Sequence, residues 1–258
     1  MNLQLEGKTA LVTGSTAGIG LAIATALAKE GASVIVNGRT QARVDQAIQT
    51  SGAAHGIAAD LSTEAGARAV FHRFPTVDIL INNLGIFEPK PFDQIPDEDW
   101  RRFFDVNVLS GVRMSRHYIG PMIQSNWGRI VFISSESALQ IPVEMIHYGM
   151  TKTAQLAIAR GLAETTKGTG VTVNAVLPGP TKSEGVVEFV GKLAAGKGID
   201  ADAMEKQFFR EGRPTSLLQR FATTEEVADV VAFVCSPLAS AINGTAVRAD
   251  GGVVRSIA

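Results

Sequence analysis

"TALVTGSTAGIG", residues 9–20, runs a short apolar segment into a glycine-rich turn and then into a helical pattern that continues to about residue 30. A brief apolar run closed by glycine reads as a buried strand. In the turn, Gly14 suits a tight bend with positive φ, Gly18 lets backbone approach a ligand closely, and Gly20 allows the helix to pack tightly on the strand. The helix N-terminus offers unpaired N–H groups and the positive end of a dipole, which suits a pyrophosphate. Ser15, Thr16 and Ile19 lie in the same stretch and are further candidate cofactor contacts. A glycine-rich turn carries little by itself. Its position after the first strand of a βαβ unit is what points to a dinucleotide.

The rest of the chain repeats this rhythm. Strand-like runs fall at 9–13, 33–37, 56–59, 78–82, 129–134, 171–177 and 245–250, most of them nearly continuous in apolar residues. That pattern belongs to strands covered on both faces. Helical patterns lie between them near 18–30, 40–50, 63–73, 97–124, 148–167 and 224–235, and "TTEE" at 223–226 reads as a capping box opening the last. The expected fold is α/β, a doubly wound, Rossmann-type parallel sheet of seven strands in a single domain, 1–258. Residues 181–216 break the rhythm between the last two strands, and the insertion reads as a lid over a substrate.

Bulk properties narrow the function. The chain has 258 residues, 45% of them hydrophobic, and a formal net charge of −1. Without a block of like charge, neither nucleic acid nor an anionic membrane is the expected partner. No signal-peptide pattern opens the chain and no apolar run reaches the roughly 18 residues of a spanning helix, so a cytoplasmic location is expected. Cys235 is the only cysteine and reads as a buried small hydrophobe. The four histidines have no metal-ligand spacing, and no metal site is expected.

Two local patterns carry chemistry. After the second strand stands "NGRT", with Arg39 where an NAD-binding chain usually has an acid for the ribose. An arginine there can pair with a 2′-phosphate, which favours NADP over NAD. In "HYGMTK", Tyr148 and Lys152 stand four apart and share a helix face. A surface pair is the bland reading. The sharper one is that the ammonium lowers the phenol's pKa and makes it an acid/base catalyst.

"TGSTAGIG", "NNLG" at 82–85, Asn107, Ser135 and "YGMTK" occur in the order found in short-chain dehydrogenases/reductases, and the chain resembles that family from "LEGKTALVTG" to "NGTAVRADGG". The branch it is similar to contains 3-oxoacyl-carrier-protein reductases and many sugar, steroid and ketone reductases. The resemblance implies a Rossmann fold, a homotetramer and hydride transfer between NADP(H), or alternatively NAD(H), and a small carbonyl/alcohol pair. It gives Tyr148 the proton transfer, and Lys152 a contact to the nicotinamide ribose. Ser135 would hold the substrate oxygen, with Ser134 its competitor, and Asn107 would hold a water beside the lysine or satisfy a helix kink. Asp60 with Leu61 would meet the adenine, Asn83 and Gly85 the cofactor, and Pro178, Gly179 and Thr181 the nicotinamide amide. Leu84 replaces the family's usual alanine. Leu139, Ile141, Val143, Glu144 and Met145 are expected around the substrate, and His147 is expected to line the pocket or be exposed. The alternatives are an NAD-linked dehydrogenase, a 3-oxoacyl-thioester reductase and a catalytically silent nucleotide-binding scaffold.

Overall fold

The computed structural model describes residues 2–257. Seven strands form one parallel sheet: β1 (Thr9–Val12), β2 (Ser33–Gly38), β3 (His55–Ala58), β4 (Ile79–Asn82), β5 (Gly128–Ile133), β6 (Val171–Pro178) and β7 (Ala246–Ala249). Their order is β3-β2-β1-β4-β5-β6-β7, so the chain leaves β1 toward one edge and returns to β4 at its other side. Ligands of such sheets sit at that reversal, outside the C-terminal strand ends.

Alternation along the strands builds the two cores. Ala10, Val12, Val34, Val36, Ile79 and Ile81 point to one face and pack with Ile23 and Leu27 of α1 (Gly18–Lys29), Val44 of α2 (Gln41–Ser51), and Val231 of α9 (Thr224–Cys235). Leu11, Ile35, Leu80, Ile130 and Phe132 point to the other face. There they meet Val70 of α3 (Glu64–Arg73), Met114 and Tyr118 of α5 (Ser110–Gln124), and Ala159 and Ala163 of α6 (Ile146–Thr165). Each fully buried Leu, Ile or Val contributes about 1.5–3 kcal/mol, and the strands are apolar throughout because both faces are covered. Cys235 is buried in the first core, where burial pushes its thiol up to about 12.

Helix ends follow local chemistry. Thr223 Oγ1 accepts the Glu226 N–H at 3.1 Å and Glu226 Oε2 accepts the Thr223 N–H at 2.8 Å, the capping box expected at the start of α9. The helix expected over 97–124 is instead α4 (Asp97–Phe104), a π-helical turn at Asp105–Leu109 and α5. Asn107 lies in that turn with its amide bonded outside the helix, and π-turns of this kind concentrate at functional sites. Residues 181–216 form α7 (Glu184–Lys197), α8 (Ala201–Gln207) and a second π-turn, Phe208–Gly212. Val190, Ala194, Met204 and Phe209 make a small apolar cluster there with Phe221, separate from the two sheet cores. Among the described residues no helix is long and apolar enough to cross a membrane.

Candidate active site

The loop after β1 is held from below, leaving its upper side for a ligand. Gly14 has φ +60°, the left-handed region, and its N–H reaches Asn37 Oδ1 at 3.2 Å. A Cβ on Gly20 would lie 2.4 Å from Asn83 Nδ2 and 2.7 Å from the Gly14 carbonyl, so no larger residue fits there. Asn83 Nδ2 donates to the carbonyls of Thr13 and Gly14 at 2.9 and 3.0 Å, pinning the loop to the end of β4. The Leu84 N–H bonds Thr13 Oγ1 at 3.0 Å, and its side chain fills the space beside Gly14. Ser15 is fully buried: its hydroxyl donates to the Val12 carbonyl and its amide to the Asn37 carbonyl. Both polar groups of Ser15 therefore serve the loop. Thr16 packs its methyl against Gly38.

α1 opens at Gly18 with no capping side chain and no acid in its first turn. Its leading amides are therefore available to an anion. They face a cleft of about 420 Å³ lined by Gly14, Gly18, Ile19, Gly20, Asn83 and Gly85 among others. The bare glycine cradle and uncapped helix end fit a dinucleotide pyrophosphate. At the end of β2, Arg39 is exposed and without a partner among the described residues, while the Asn37 side chain is spent on the Ile57 and Ala59 carbonyls and the Gly14 N–H. Arg43, one turn further along α2, lines the same cleft and pairs with Glu184 at 3.5 Å. Sequence reading passed over it, although its spacing from Arg39 was visible. Asp60 is exposed, with Oδ1 accepting from the Ser62 amide and hydroxyl, and Leu61 packs into the core. Asp60 therefore holds the turn that follows β3.

Beside this cleft, a second cavity of about 380 Å³ contains Ser135, Tyr148, Pro178, Gly179 and Thr181 in its wall. Ile19 and Phe87 line both spaces. β5 ends at Ile133, which puts Ser134 and Ser135 at the rim of the sheet. Their hydroxyls have different tasks. Ser134 Oγ donates to the Lys152 carbonyl at 2.9 Å, whereas Ser135 Oγ accepts the Ser137 N–H at 3.1 Å and keeps its own proton for another acceptor. Ser135 is also the neighbour whose hydrogen bond pulls the Tyr148 pKa down, against a larger upward push from burial that leaves it at about 12. Thr181 Oγ1 bonds the Gly179 carbonyl at 2.9 Å, fixing the turn after β6.

Lys152 is held by the backbone and by Gln155. Its Nζ lies 5.6 Å from the Tyr148 ring centroid and donates to the Ile133 carbonyl at 2.9 Å, with Gln155 Oε1 at 3.4 Å. Burial pushes the ammonium down to about 7, and Lys152 is not among the groups that shift Tyr148. Helical spacing was right about the shared face, and burial is the largest influence on both groups. Asn107 Oδ1 accepts the Ile86 N–H at 2.8 Å and Nδ2 donates to Ile86 O and Thr151 Oγ1, both at 3.0 Å. Its carbonyl accepts Gln155 Nε2 at 2.6 Å. Gln155 thus bridges Asn107 to Lys152. Sequence reading missed it, and its only signal was a place three residues beyond Lys152. Gly85 lies beside both Asn107 and Lys152, within 3.5 Å of each for an added Cβ.

The remaining pocket expectations divide. Glu144 and Met145 line the second cavity, but Leu139, Ile141 and Val143 are exposed on the loop outside it. His147 is fully buried against Phe103, 4.0 Å between ring centroids, with both ring nitrogens unpartnered. Burial lowers its pKa, so it is a neutral core residue and neither exposed nor at the pocket.

The family profile for short chain dehydrogenase matches residues 8–192. The chain belongs to the short-chain dehydrogenase/reductase family. It is 52% identical to the oxidoreductase YvaG of Bacillus subtilis, with all of both chains covered. It is 34% identical to the 3-oxoacyl-[acyl-carrier-protein] reductase of Aquifex aeolicus, over 98% of this chain and 100% of the relative. Among solved structures, L-sorbose reductase from Gluconobacter frateurii, complexed with NADPH and L-sorbose, matches with a TM-score of 0.93 and 29% identity, again covering all of both chains. This short-chain dehydrogenase/reductase is an oxidoreductase with the seven-stranded parallel sheet of its family.

Proposed function

We propose that this enzyme transfers hydride between NADP(H) and a ketone or aldehyde and the corresponding alcohol, with Tyr148 moving the proton. The observation that carries this reading is the pairing of Tyr148 and Ser135 on one wall of a cavity that adjoins the glycine-loop cleft. A bound nicotinamide supplies the hydride. With its pKa pushed up to about 12, Tyr148 is protonated at neutral pH and suited to be the acid in reduction. The Ser135 proton, left free by the Ser137 contact, can be donated to the substrate oxygen as negative charge develops there. Lys152, held by Ile133 and Gln155, forms the floor beneath the ring. Oxidation of NADPH, followed by absorbance over a panel of ketones, aldehydes and sugars, tests this reading; no turnover with any of them would contradict it.

Arg39 and the absence of a carboxylate at the end of β2 support NADP, as does the NADPH in the L-sorbose reductase complex. NADPH is expected to bind at least tenfold tighter than NADH, about 1.4 kcal/mol. Arg39→Ala should remove most of that difference, with Arg43 retaining a remainder. Equal or tighter NADH binding by the intact protein would overturn the assignment. A 3-oxoacyl-thioester substrate on a carrier protein is less well supported. Arg129 is buried, and Arg101 and Arg102 are paired with acids of α4 and with Glu88.

We also read residues 181–216 as a lid. Val186, Val190 and Phe208 line the substrate cavity from above, and their cluster is independent of the sheet cores. Amide exchange in α7 and α8 should be faster than in α1 and α9, and should slow when NADPH and a ketone substrate are added together. Equal protection with and without ligands would make the segment a fixed wall.

A further inference from the structure

The substrate cavity is apolar over most of its wall, with Phe87, Met145, Val190 and Phe208 among its lining, but one corner is charged. Arg213, next to the second π-turn, is 8% exposed and donates from Nε to Glu136 Oε1 at 2.9 Å. Its Nη1 donates to the Gly212 carbonyl at 2.7 Å and lies 3.4 Å from Glu144 Oε1. Among the described residues Nη2 has no hydrogen-bond acceptor. Glu136 is 3% exposed and its Oε2 is buried without a donor. Glu136, Glu144 and Arg213 all line the cavity.

An ion pair that leaves Glu136 Oε2 buried without a donor is poorly explained as a stabilising device, because an unpaired buried polar group costs about 1–3 kcal/mol. The charges also belong to the reacting end of the cavity: both Glu136 and Arg213 act on the Tyr148 phenol, the glutamate raising its pKa and the arginine lowering it. Two carboxylates stand against one guanidinium. A substrate carboxylate would meet the free Nη2 but would also face two glutamates. A neutral hydroxyl suits the corner better, because it can accept from Arg213 and donate to a glutamate oxygen.

Resting on the proposed reductase activity, we infer that Arg213, Glu136 and Glu144 form a polar subsite selecting a neutral carbonyl substrate with a hydroxyl group beside the reacting carbon. The apolar wall takes the remainder of that substrate. The subsite distinguishes a hydroxyketone both from the ketone lacking the hydroxyl and from the keto acid. Loss of a hydroxyl from a site built to bond it leaves polar groups unpaired, a strong source of discrimination.

Three matched compounds test this: butanone, 1-hydroxybutan-2-one and 2-oxobutanoate differ only at one carbon next to the carbonyl. With NADPH, kcat/KM for the hydroxyketone should exceed that for each of the others at least ~tenfold. Glu136→Met/Arg213→Met removes both charges at similar volume, and the hydroxyketone-to-butanone ratio should fall at least ~tenfold. Should that variant fail to fold, Glu144→Gln, at an exposed position, removes one negative charge; its kcat/KM for 2-oxobutanoate relative to butanone should rise several-fold. Butanone or 2-oxobutanoate used as well as the hydroxyketone by the intact protein would overturn the inference. So would turnover of other ketones with none of these three. Absence of NADPH oxidation with every carbonyl compound tried would instead remove the reductase reading on which the subsite rests.

Discussion

Tyr148→Phe lowers turnover at least ~10²-fold while the fold and NADPH affinity survive. The substitution keeps the ring, which stands edge-on to Phe87 at 6.5 Å between centroids, and it keeps the position within α6. What it removes is the hydroxyl beside Ser135, the group proposed to transfer its proton to the substrate oxygen, which Ser135 only hydrogen-bonds. A positioned acid contributes about 10²–10⁴-fold, so the loss is large and confined to the chemical step. His147 cannot substitute for it, because its ring is sealed against Phe103 and Trp100 away from the cavity. Near-normal kcat in Tyr148→Phe, measured on a confirmed substrate, would mean that another group carries the proton.

Lys152→Met should separate stability from activity. The Lys152 pKa is lowered by burial to about 7, so between that pH and its unfolded value of 10.5 the native state binds fewer protons than the unfolded chain. Stability of the wild-type protein therefore rises with pH across this window, and the buried ammonium is most costly below it. Each unit of displacement corresponds to about 1.4 kcal/mol, so Lys152→Met should be more stable than wild type by a few kcal/mol near pH 6. The advantage should shrink toward pH 10, where the variant still leaves the Ile133 carbonyl without its donor. Turnover should fall at every pH. Denaturant melts at pH 6 and pH 10 check the sign; a variant less stable than wild type at pH 6 would contradict the account. Gln155→Leu is the companion test. Losing an acceptor for the ammonium should move the Lys152 titration lower still, as read from its side-chain NMR shifts, whereas a purely structural glutamine would leave that titration in place.

The sheet was legible because its strands are buried on both faces and therefore carry unbroken apolar runs between helical periods. All seven runs became strands in the expected chain order. The interruption at Asp105–Leu109 was not legible, because no local residue pattern marks a π-turn inside a long helical segment. It depends on what Asn107 meets across the fold, namely Ile86 and Thr151. The same limit applies within the site. Spacing placed Tyr148 and Lys152 on one helix face, but their proton affinities follow from burial, which spacing does not report. Ser135 could be chosen over Ser134 by spacing and family pattern. Only the fold reveals that Ser134 is tied to the Lys152 carbonyl. Glu136 and Arg213 lie 77 positions apart, and no local pattern joins them.

The central claim is that this chain moves hydride to a carbonyl carbon at the Tyr148–Ser135 wall, and the most direct measurement follows the hydride itself. The protein is mixed with NADPH deuterated at the transferring position and with each compound of the carbonyl panel, and the alcohol formed is examined by mass spectrometry. The account predicts one deuterium on the former carbonyl carbon, and at least ~10²-fold slower formation of that product by Tyr148→Phe. Bound NADPH with no deuterium delivered to any carbonyl compound would contradict it and leave a nucleotide-binding protein without this chemistry.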